Sequence, residues 1–276
     1  MTDILFEKDG CIPVWENLTL NVIGGILAGW AFAVWHIAVK ALSKYRFKQI
    51  FGFKASDEGI TLVYEELASL VQGDKFIYCK PGDEASGRRL SISRPIPIAS
   101  VRAVSYLSNA IGKFIRRSPA VRSDTEVRSL LDLDFICFGG PFSNAMTQTC
   151  LENAGNRLVT FDQTINQFKR KNDTQALVNF VSGFDYGLIL KLHPVQFPER
   201  VWILCAGIGE RGTSGAAWFL ANKWKEIWKR TSDNPFAAIL KVEGDVHSGR
   251  DQSAELLKLI VLHGERIETT SSENSQ

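Results

Sequence analysis

Two glycine-rich segments in the second half of the chain have a composition suited to binding anions. The first is Gly139-Gly140-Pro141-Phe142-Ser143-Asn144, and the second, Gly207–Gly215, contains a G-x-G-x-x-G pattern. Glycines let a ligand approach the backbone closely, and the amide groups at the start of a following helix point at whatever occupies such a turn. These segments, called the first and second glycine turns below, therefore predict an anion-binding site.

Hydroxyl, amide and charged side chains beside the glycines complete the predicted site. Glu210 and Arg211 form the best-placed charged pair, suited to a general acid or a phosphate clamp. Two alternatives stay open: the glycines make only tight turns, and the charged pair lies in a solvated loop. The predicted ligand-binding residues are Gly139, Gly140, Ser143, Asn144, Thr147, Gly207, Gly209, Glu210, Arg211, Gly212, Thr213 and Ser214.

Each glycine turn follows an apolar run that reads as a buried strand and precedes a helical stretch. The two strands are predicted at 135–138 and 201–206. A strand, a glycine turn and a helix, repeated, are typical of an α/β sheet whose ligand site lies at the carboxyl ends of its strands. The second turn lies late in the chain, with no acidic residue ending a next strand about 20 residues on, so the pattern does not indicate NAD. Further strands are predicted at 60–64, 76–79, 158–161, 187–192 and 258–263, and helices at 101–115 and 125–131.

Other candidate residues carry weaker signals. Asp185, Tyr186, Lys191 and His193 flank or follow a predicted strand, where they line the same cleft or serve as surface and hydrogen-bonding groups. Neither the four histidines nor the five cysteines show metal-ligand spacing, so no metal or cofactor is predicted. Cys137 and Cys205 lie in predicted buried strands as ordinary core residues. Basic clusters at 88–89, 116–117 and 169–171 fit either a groove for a phosphate-rich ligand or scattered solvated charge.

The composition excludes several classes of protein but leaves one membrane helix possible. The chain has 276 residues, 45% hydrophobic and 22% charged, with a formal net charge of +2. These values exclude collagen, a disordered tail and a multi-span transporter. Residues 1–39 carry −3 and residues 40–54 carry +5, which leaves the rest of the chain neutral. A neutral remainder argues against a generally basic nucleic-acid-binding protein.

A long apolar segment predicts a transmembrane helix over 18–42. Residues 22–39 are apolar or small except for His36, which is enough to cross a bilayer. Because the basic stretch follows an acidic amino terminus, the carboxyl side is expected in the cytoplasm. The predicted organisation is an extracytoplasmic segment 1–17, the helix, a basic juxtamembrane stretch 43–54 that prolongs it, a cytoplasmic α/β domain 55–267 and a disordered tail 268–276.

Small and polar residues share one face of the predicted membrane helix. At 100° per residue, Asn21, Gly25, Gly29, Phe32 and His36 fall within about 100° of one another. A G-x-x-x-G spacing lets two helices approach closely, and polar groups in hydrocarbon normally face protein or water. The alternative is a chance match, since glycine is common in membrane helices. The shared face favours self-association around a pore.

Three motifs resemble a Rossmann-like domain of uncharacterised prokaryotic proteins, over about residues 50–225. They read Gly139-Gly140-Pro141-x-Ser143-Asn144-x-x-Thr147, Asp185-Tyr186-Gly187-x-Ile189, and Cys205-Ala206-Gly207-x-Gly209-Glu210-x-Gly212-Thr213-x-x-Ala216-Ala217, with Phe51-Gly52 and Leu62-Val63-Tyr64 as a further match. One membrane helix ahead of such a domain is similar in architecture to membrane effectors of nucleotide-signalled bacterial anti-phage systems. In those effectors a sensor domain gates or assembles a membrane pore.

Together these features predict an oligomeric inner-membrane effector of bacteria, with its amino terminus outside. Its cytoplasmic domain is expected to bind a nucleotide or an oligonucleotide-like ligand that opens or closes a pore. The expected partners are further copies of the chain, membrane lipid, the ligand and a nucleotide-synthesising enzyme. One alternative is a membrane-anchored enzyme acting on nucleotides or nucleosides, with Glu210, Asp185 or His193 as acid and base. A scaffold without a ligand is the other.

Overall fold

A computed structural model describes residues 14–52, 59–66, 76–79, 89–92, 96–115, 118–173, 175–179, 181–243 and 251–271, with backbone alone for 14–21, 76–79 and 89–92. The chain forms two compact units, Met1–Tyr45 and Arg46–Gln276. The basic clusters at 88–89 and 116–117 lie outside the described side chains.

Helix α1 spans Val14–Phe51. Its segment Val22–Phe51 is long and apolar enough to cross a membrane, with a mean hydropathy of 1.9 over an 18-residue window. Side chains from residue 22 to residue 42 are exposed all round the helix, as expected of a helix that contacts lipid or other helices. The helical conformation predicted over 18–42 and its extension through the basic stretch are confirmed, while membrane crossing stays a prediction.

The second unit is a mixed α/β structure built on an eight-stranded sheet. The strand order is β12-β11-β10-β8-β9-β5-β1-β4. Strands β4, β1, β5 and β9 run parallel to one another. Strand β8 is antiparallel to β9, β10 to β8, β11 to β10 and β12 to β11. The bounds are β1 Thr61–Tyr64, β4 Ala120–Ser123, β5 Phe135–Phe138, β8 Phe184–Leu192, β9 Trp202–Gly207, β10 Phe236–Glu243, β11 Glu255–His263 and β12 Arg266–Ser271.

Four helices and two hairpins complete the described elements of this unit. The helices are α2 Ile98–Gly112, α3 Asp124–Val127, α4 Ala145–Glu152 and α5 Glu210–Thr231. The hairpin strands are β2 Phe76–Cys79, β3 Arg89–Ile92, β6 Val159–Asp162 and β7 Gln167–Arg170.

The two faces of the sheet bury separate apolar clusters. On β5, Ile136 and Phe138 join one cluster while Phe135 and Cys137 join the other, because successive strand residues point to opposite faces. The first cluster also contains residues of α2, α5 and the end of α1, and the second contains residues of α3, α4, β6 and β7. These faces are called the α5 face and the α4 face below.

The structure corrects two predicted boundaries. Phe47, Ile50 and Phe51 are fully buried in the core of the second unit, so the core begins within the stretch predicted to be juxtamembrane. Strand β12 continues to Ser271, so the prediction of a disordered tail from 268 is wrong for residues 268–271. Pairing of β12 with β11 accounts for this order, although its side chains are mostly exposed.

Candidate functional site

The two glycine turns lie side by side at the same edge of the sheet. Strands β5 and β9 are parallel neighbours, so their carboxyl ends meet. The Gly139 amide donates to the Cys205 carbonyl at 3.3 Å, and a Cβ on Gly140 would lie 3.4 Å from the Gly207 carbonyl oxygen. The structure thus brings together the two segments that the sequence marked separately.

The chain leaves these neighbouring strands toward opposite faces of the sheet. Helix α4 follows β5 on one face, and α5 follows β9 on the other. Strand β1 is also followed along the chain by a helix on the α5 face, namely α2. A reversal of this kind opens a crevice beyond the carboxyl ends of the strands, where α/β proteins bind ligands. We call the space between the two turns and the end of β1 the switch-point crevice.

In the second turn, a carboxylate of the chain itself occupies part of the helix start. Asp185, at the beginning of β8, accepts hydrogen bonds from the amides of Gly209 at 3.0 Å and Gly212 at 2.6 Å. Since β8 is antiparallel to β9, its first residues lie at the same edge as the turn. Two amides of this turn therefore already have an internal acceptor, and the binding of an external anion there stays a prediction.

The helix start of the first turn is also capped from within. Asn144 Oδ1 accepts from the amides of Met146 at 2.7 Å and Thr147 at 3.2 Å, and Asp124 accepts from the Ala145 amide at 3.0 Å. Thr147 donates its hydroxyl to the Gly139 carbonyl at 3.0 Å. The expectation of free amides at this helix start is therefore wrong, because side chains of the chain already accept from them. A ligand role for these residues stays a prediction.

Ser214 belongs to a buried network away from the crevice. Its hydroxyl donates to Asp251 Oδ1 at 2.7 Å, and Tyr106 donates to Asp251 Oδ2 at 2.8 Å. Burial, followed by this hydrogen bond to Asp251, raises the pKa of Tyr106 to about 12. The network joins α2 and α5 to the 3-10 helix Asp251–Ser253, so the Ser214 side chain has a structural partner rather than an open donor.

Glu65 is a crevice residue that the sequence reasoning missed. It follows β1 directly, is only 5% exposed, and accepts hydrogen bonds from Ser143 and, at 3.5 Å, from Ser100. A Cβ on Gly139 would collide with its carboxylate, so this glycine, at φ +118°, makes room for it. A single acidic residue after an apolar run gives little signal, because only the sheet order places β1 beside β5.

The environment of Glu65 favours its protonated form. Burial is the largest cause that raises the pKa of this carboxyl, and the charges of Asp124 and Glu210 add to it. The hydrogen bonds from Ser143 and Ser100 act in the opposite direction without cancelling the rise. A carboxyl with a raised pKa in a crevice is a candidate general acid.

The start of α5 keeps donors on the crevice side. In the described part of the chain, the amides of Glu210 and Arg211 have no acceptor, and these lie between the two amides that Asp185 takes. The Arg211 guanidinium donates to the Glu243 carbonyl at 3.2 Å and is half-buried. Because Glu243 ends β10, which lies beyond β8 on the side away from β5, this guanidinium flanks the start of α5 and does not lie between the two turns. The crevice therefore combines carboxyl groups with a helix start.

His193 and Lys191 do not lie at the crevice. Lys191 is about 20 Å and His193 about 26 Å of strand away from Asp185 by the usual rise per residue. His193 Nδ1 lies 3.0 Å from the Arg200 carbonyl, and Lys191 is buried at the opposite edge of the sheet. Of the two alternatives that the sequence leaves open for them, the structure favours the hydrogen-bonding role over the cleft, because β8 is antiparallel to β9. Asp185 and the turn-contacting part of β8 are correctly placed.

Cysteine and basic residues take the ordinary roles that the sequence left open. Cys137 and Cys205 are buried thiols, which confirms their prediction as core residues, and Cys137 lies 3.9 Å from Cys150. Lys169 pairs with Asp162 at 2.6 Å, and Lys171 donates to the Asn156 carbonyl at 2.5 Å. Among the described residues, no cluster of histidine, cysteine and acidic side chains has the arrangement of a metal site.

The helix face predicted to line a pore is open on its described side chains. A Cβ on Gly25 or Gly29 would meet nothing within 4 Å, and Phe32 is 71% exposed. His36 is also exposed, while the side chain of Asn21 lies outside the described residues. The face leaves room for a second helix, and its association with one stays a prediction.

Comparisons with known proteins found no match: no protein-family model, curated protein or solved structure is similar to this chain. The crevice and α1 are therefore the features that bear on function.

Proposed function

We propose that the chain is a membrane-anchored effector of bacteria whose Rossmann-like domain binds a nucleotide-like ligand in the switch-point crevice. The observation that carries this proposal is the meeting of both glycine turns between β5 and β9, whose following helices lie on opposite faces. Ligands of α/β proteins bind at such reversals.

The groups in the crevice are better suited to bind the sugar hydroxyls of a nucleotide than its phosphates. Carboxylates such as Glu65 and Glu210 are suited to accept hydrogen bonds from ribose hydroxyls. A phosphate has the start of α5 as its donor, with the Arg211 guanidinium on the β10 side of that helix start, since Asp185 takes the neighbouring amides. The ligand expected from this balance carries sugar hydroxyls and few phosphates.

The link between ligand and membrane is the last part of α1. From Arg46 onward this helix belongs to the compact α/β unit, with Phe47 stacked on Phe114 at 4.2 Å. Gln49 accepts from Trp228 of α5 at 2.8 Å, and α5 begins at the second glycine turn. In the proposed mechanism, a ligand that shifts α5 also shifts the end of α1.

The output proposed for this shift is the opening or closing of a pore in the inner membrane, in defence against phage. The amino terminus lies outside, and the helices of several copies associate through the face that carries Gly25 and Gly29. The open space beside both glycines and the apolar surface of α1 support this part of the proposal.

Ligand binding is tested on the purified full chain in detergent, by thermal unfolding followed through tryptophan fluorescence. ATP, NAD and cyclic dinucleotides are compared with adenosine. A ligand at about 100 times its Kd adds about 2.7 kcal/mol of stability, which corresponds to a rise in Tm of roughly 5–10 °C. Arg211→Gln should remove most of that rise, and Lys223→Gln, an exposed change on the same helix, should not. If no nucleotide raises Tm, a ligand-free scaffold becomes the better interpretation.

Pore formation is tested by ion flux in liposomes that contain the purified chain. Asn21→Leu and Gly25→Leu should abolish flux, since both change the predicted pore face. Ile23→Leu lies on the opposite side of the helix and serves as the matched control. If liposomes with the unmodified chain show no ion flux, either with or without a nucleotide, the proposed pore is contradicted.

A second candidate function, favoured by Glu65, is a membrane-anchored enzyme acting on nucleotides or nucleosides. Its buried carboxyl has a raised pKa and lies in the crevice, where it could protonate a leaving group. Product formation by the full chain, lowered about 10²- to 10⁴-fold in kcat by Glu65→Gln, would select this function. Glu226→Gln on the exposed side of α5 is the control, and nucleotide binding without turnover would exclude the enzyme.

A further inference from the structure

A cavity on the α4 face of the sheet lies apart from the switch-point crevice. Its volume is about 460 Å³, and its walls come from residues 175–179 and 181 and from strands β8, β10, β11 and β12. This volume falls in the range of small-molecule sites in proteins, about 300–1,000 Å³.

The charged groups of the cavity are cationic. Lys241 and Lys258 line it, and its described lining contains no carboxylate. Lys258 donates to the Leu177 carbonyl at 2.6 Å, and the Lys241 ammonium lies 3.7 Å from the centre of the Phe184 ring. Neither forms an ion pair among the described residues. Because an ammonium has three donors, both lysines keep hydrogens for a ligand.

The remaining walls combine apolar side chains with Gln175, Asn179 and Ser271, and the apolar part is held in place. Leu177 and Val178 are each 7% exposed, and the Tyr186 ring is buried. The Tyr186 hydroxyl donates to the Asn179 carbonyl at 3.1 Å and accepts from the Val181 amide at 3.2 Å. These bonds fix Asn179 and Val181 over the strands, so the cavity is formed before any ligand arrives, which lowers the entropic cost of binding.

We propose that this cavity binds a small organic anion with an apolar body, such as an aromatic phosphate or carboxylate. The two ammonium groups receive the anionic end, and the Leu177, Val178 and Tyr186 walls cover the apolar part. The switch-point crevice differs in its side chains, since the acidic residues Glu65, Asp124 and Asp185 lie at its edge. The proposal does not depend on nucleotide binding there.

Isothermal titration calorimetry on the full chain in detergent tests the site with 1-naphthyl phosphate. Inorganic phosphate provides the charge without the apolar body, and 1-naphthyl glucoside provides the apolar body without the charge. Titration into matching micelles corrects for partition into detergent. Naphthyl phosphate should bind at least about tenfold more tightly than either, and affinity should fall at high salt because the charges are partly exposed.

Variants at the lysines locate the binding. Lys241→Gln and Lys258→Gln should each weaken naphthyl phosphate about tenfold, the loss of one charge-assisted contact. Lys229→Gln, exposed on α5, should leave it unchanged. Ser271→Glu offers a test that keeps both lysines. Ser271 of β12 pairs with Lys258 of β11, so a carboxylate at position 271 would compete with the ligand. Thr270→Glu, on the other face of the same strand, is its control.

Three results would overturn the proposal. They are unchanged affinity in the lysine variants, equal affinity for inorganic phosphate and naphthyl phosphate, and no difference between Ser271→Glu and Thr270→Glu. Measurements on Arg211→Gln separate the two sites, since that change affects the crevice and not this cavity.

Discussion

The buried lysine of β8 gives the most direct test of how α1 is held to the α/β unit. Lys191 is fully buried, and its ammonium donates to the Gln49 carbonyl at 2.7 Å, the Asp233 carbonyl at 2.8 Å and the Asp233 carboxylate at 3.1 Å. Gln49 lies in the last turn of α1, where carbonyls have no partner within the helix and a cation is favourable. Lys191→Met keeps the length of the side chain and removes every donor.

The expected loss follows from what the change leaves behind. Two carbonyls, on the half-buried residues Gln49 and Asp233, lose the buried ammonium as a donor, which costs up to about 1–3 kcal/mol each. The Asp233 carboxylate adds little, since its side chain is 34% exposed and water can replace the ammonium. Removal of a buried charge also relieves a desolvation penalty, so the net loss is about 3 kcal/mol. For a unit of this size, that corresponds to a fall in Tm of roughly 6–12 °C.

Tryptophan fluorescence during thermal unfolding of the full chain in detergent measures this loss. Lys229→Met, at an exposed position of α5, is the matched control and should shift Tm by less than 2 °C. Asp233→Asn should cost less than about 1 kcal/mol, as for an exposed ion pair. A decrease in Tm of less than 2 °C for Lys191→Met, or an equal decrease for Asp233→Asn, would refute the assignment of the lost free energy of unfolding to the two carbonyls.

Three further predictions concern the crevice and the core. Burial raises the pKa of Glu65 in the folded chain, so the free energy of unfolding falls as pH rises through that folded pKa. Compared with the unmodified chain, Glu65→Gln should therefore have a higher Tm at pH 8 and the same Tm below pH 4.5, the ordinary pKa. Thermal unfolding at several pH values measures both. Gly139→Ala should cost about 1–3 kcal/mol, because φ is +118° and the new Cβ would collide with Glu65, whereas Gly112→Ala meets nothing and should not destabilise. Burial raises the pKa values of the Cys150 and Cys205 thiols, so in a chain lacking Cys11 and Cys79, an Ellman titration should find no reactive thiol before unfolding and three after it.

The parts of the fold that the sequence predicts well have strong local signals. The apolar run at 135–138 and the glycines after it define a strand, a turn and a helix without any knowledge of neighbours, and the structure contains all three. The unbroken apolar segment at 22–39 predicts α1 equally directly. Such features depend on the residues themselves and not on what packs against them.

The missed features depend on sheet order. Glu65 belongs to the crevice only because β1 lies beside β5, and Asp185 caps the second turn only because β8 is antiparallel to β9. The same reversal places His193 at the far edge. Side-chain caps such as Asn144 are also invisible to a search for glycine patterns, although Asn is a common residue at helix starts. Pattern reasoning identified the turns but not what already occupies them.

The aromatic cluster at the end of α1 delays the completion of the core during synthesis. Phe47 packs against Phe114 and, at 5.1 Å, against Trp224 on α5, a residue that the ribosome adds much later. Until then, the first-made part of the core has no partner, and the closure of such a distant contact is slow. If α1 enters the bilayer during synthesis, the end of this helix is formed before the rest of the α/β unit, which then packs against Phe47. A chain that begins after residue 52 would lack Phe47 and its neighbours in the core and should fold poorly, however complete its sheet.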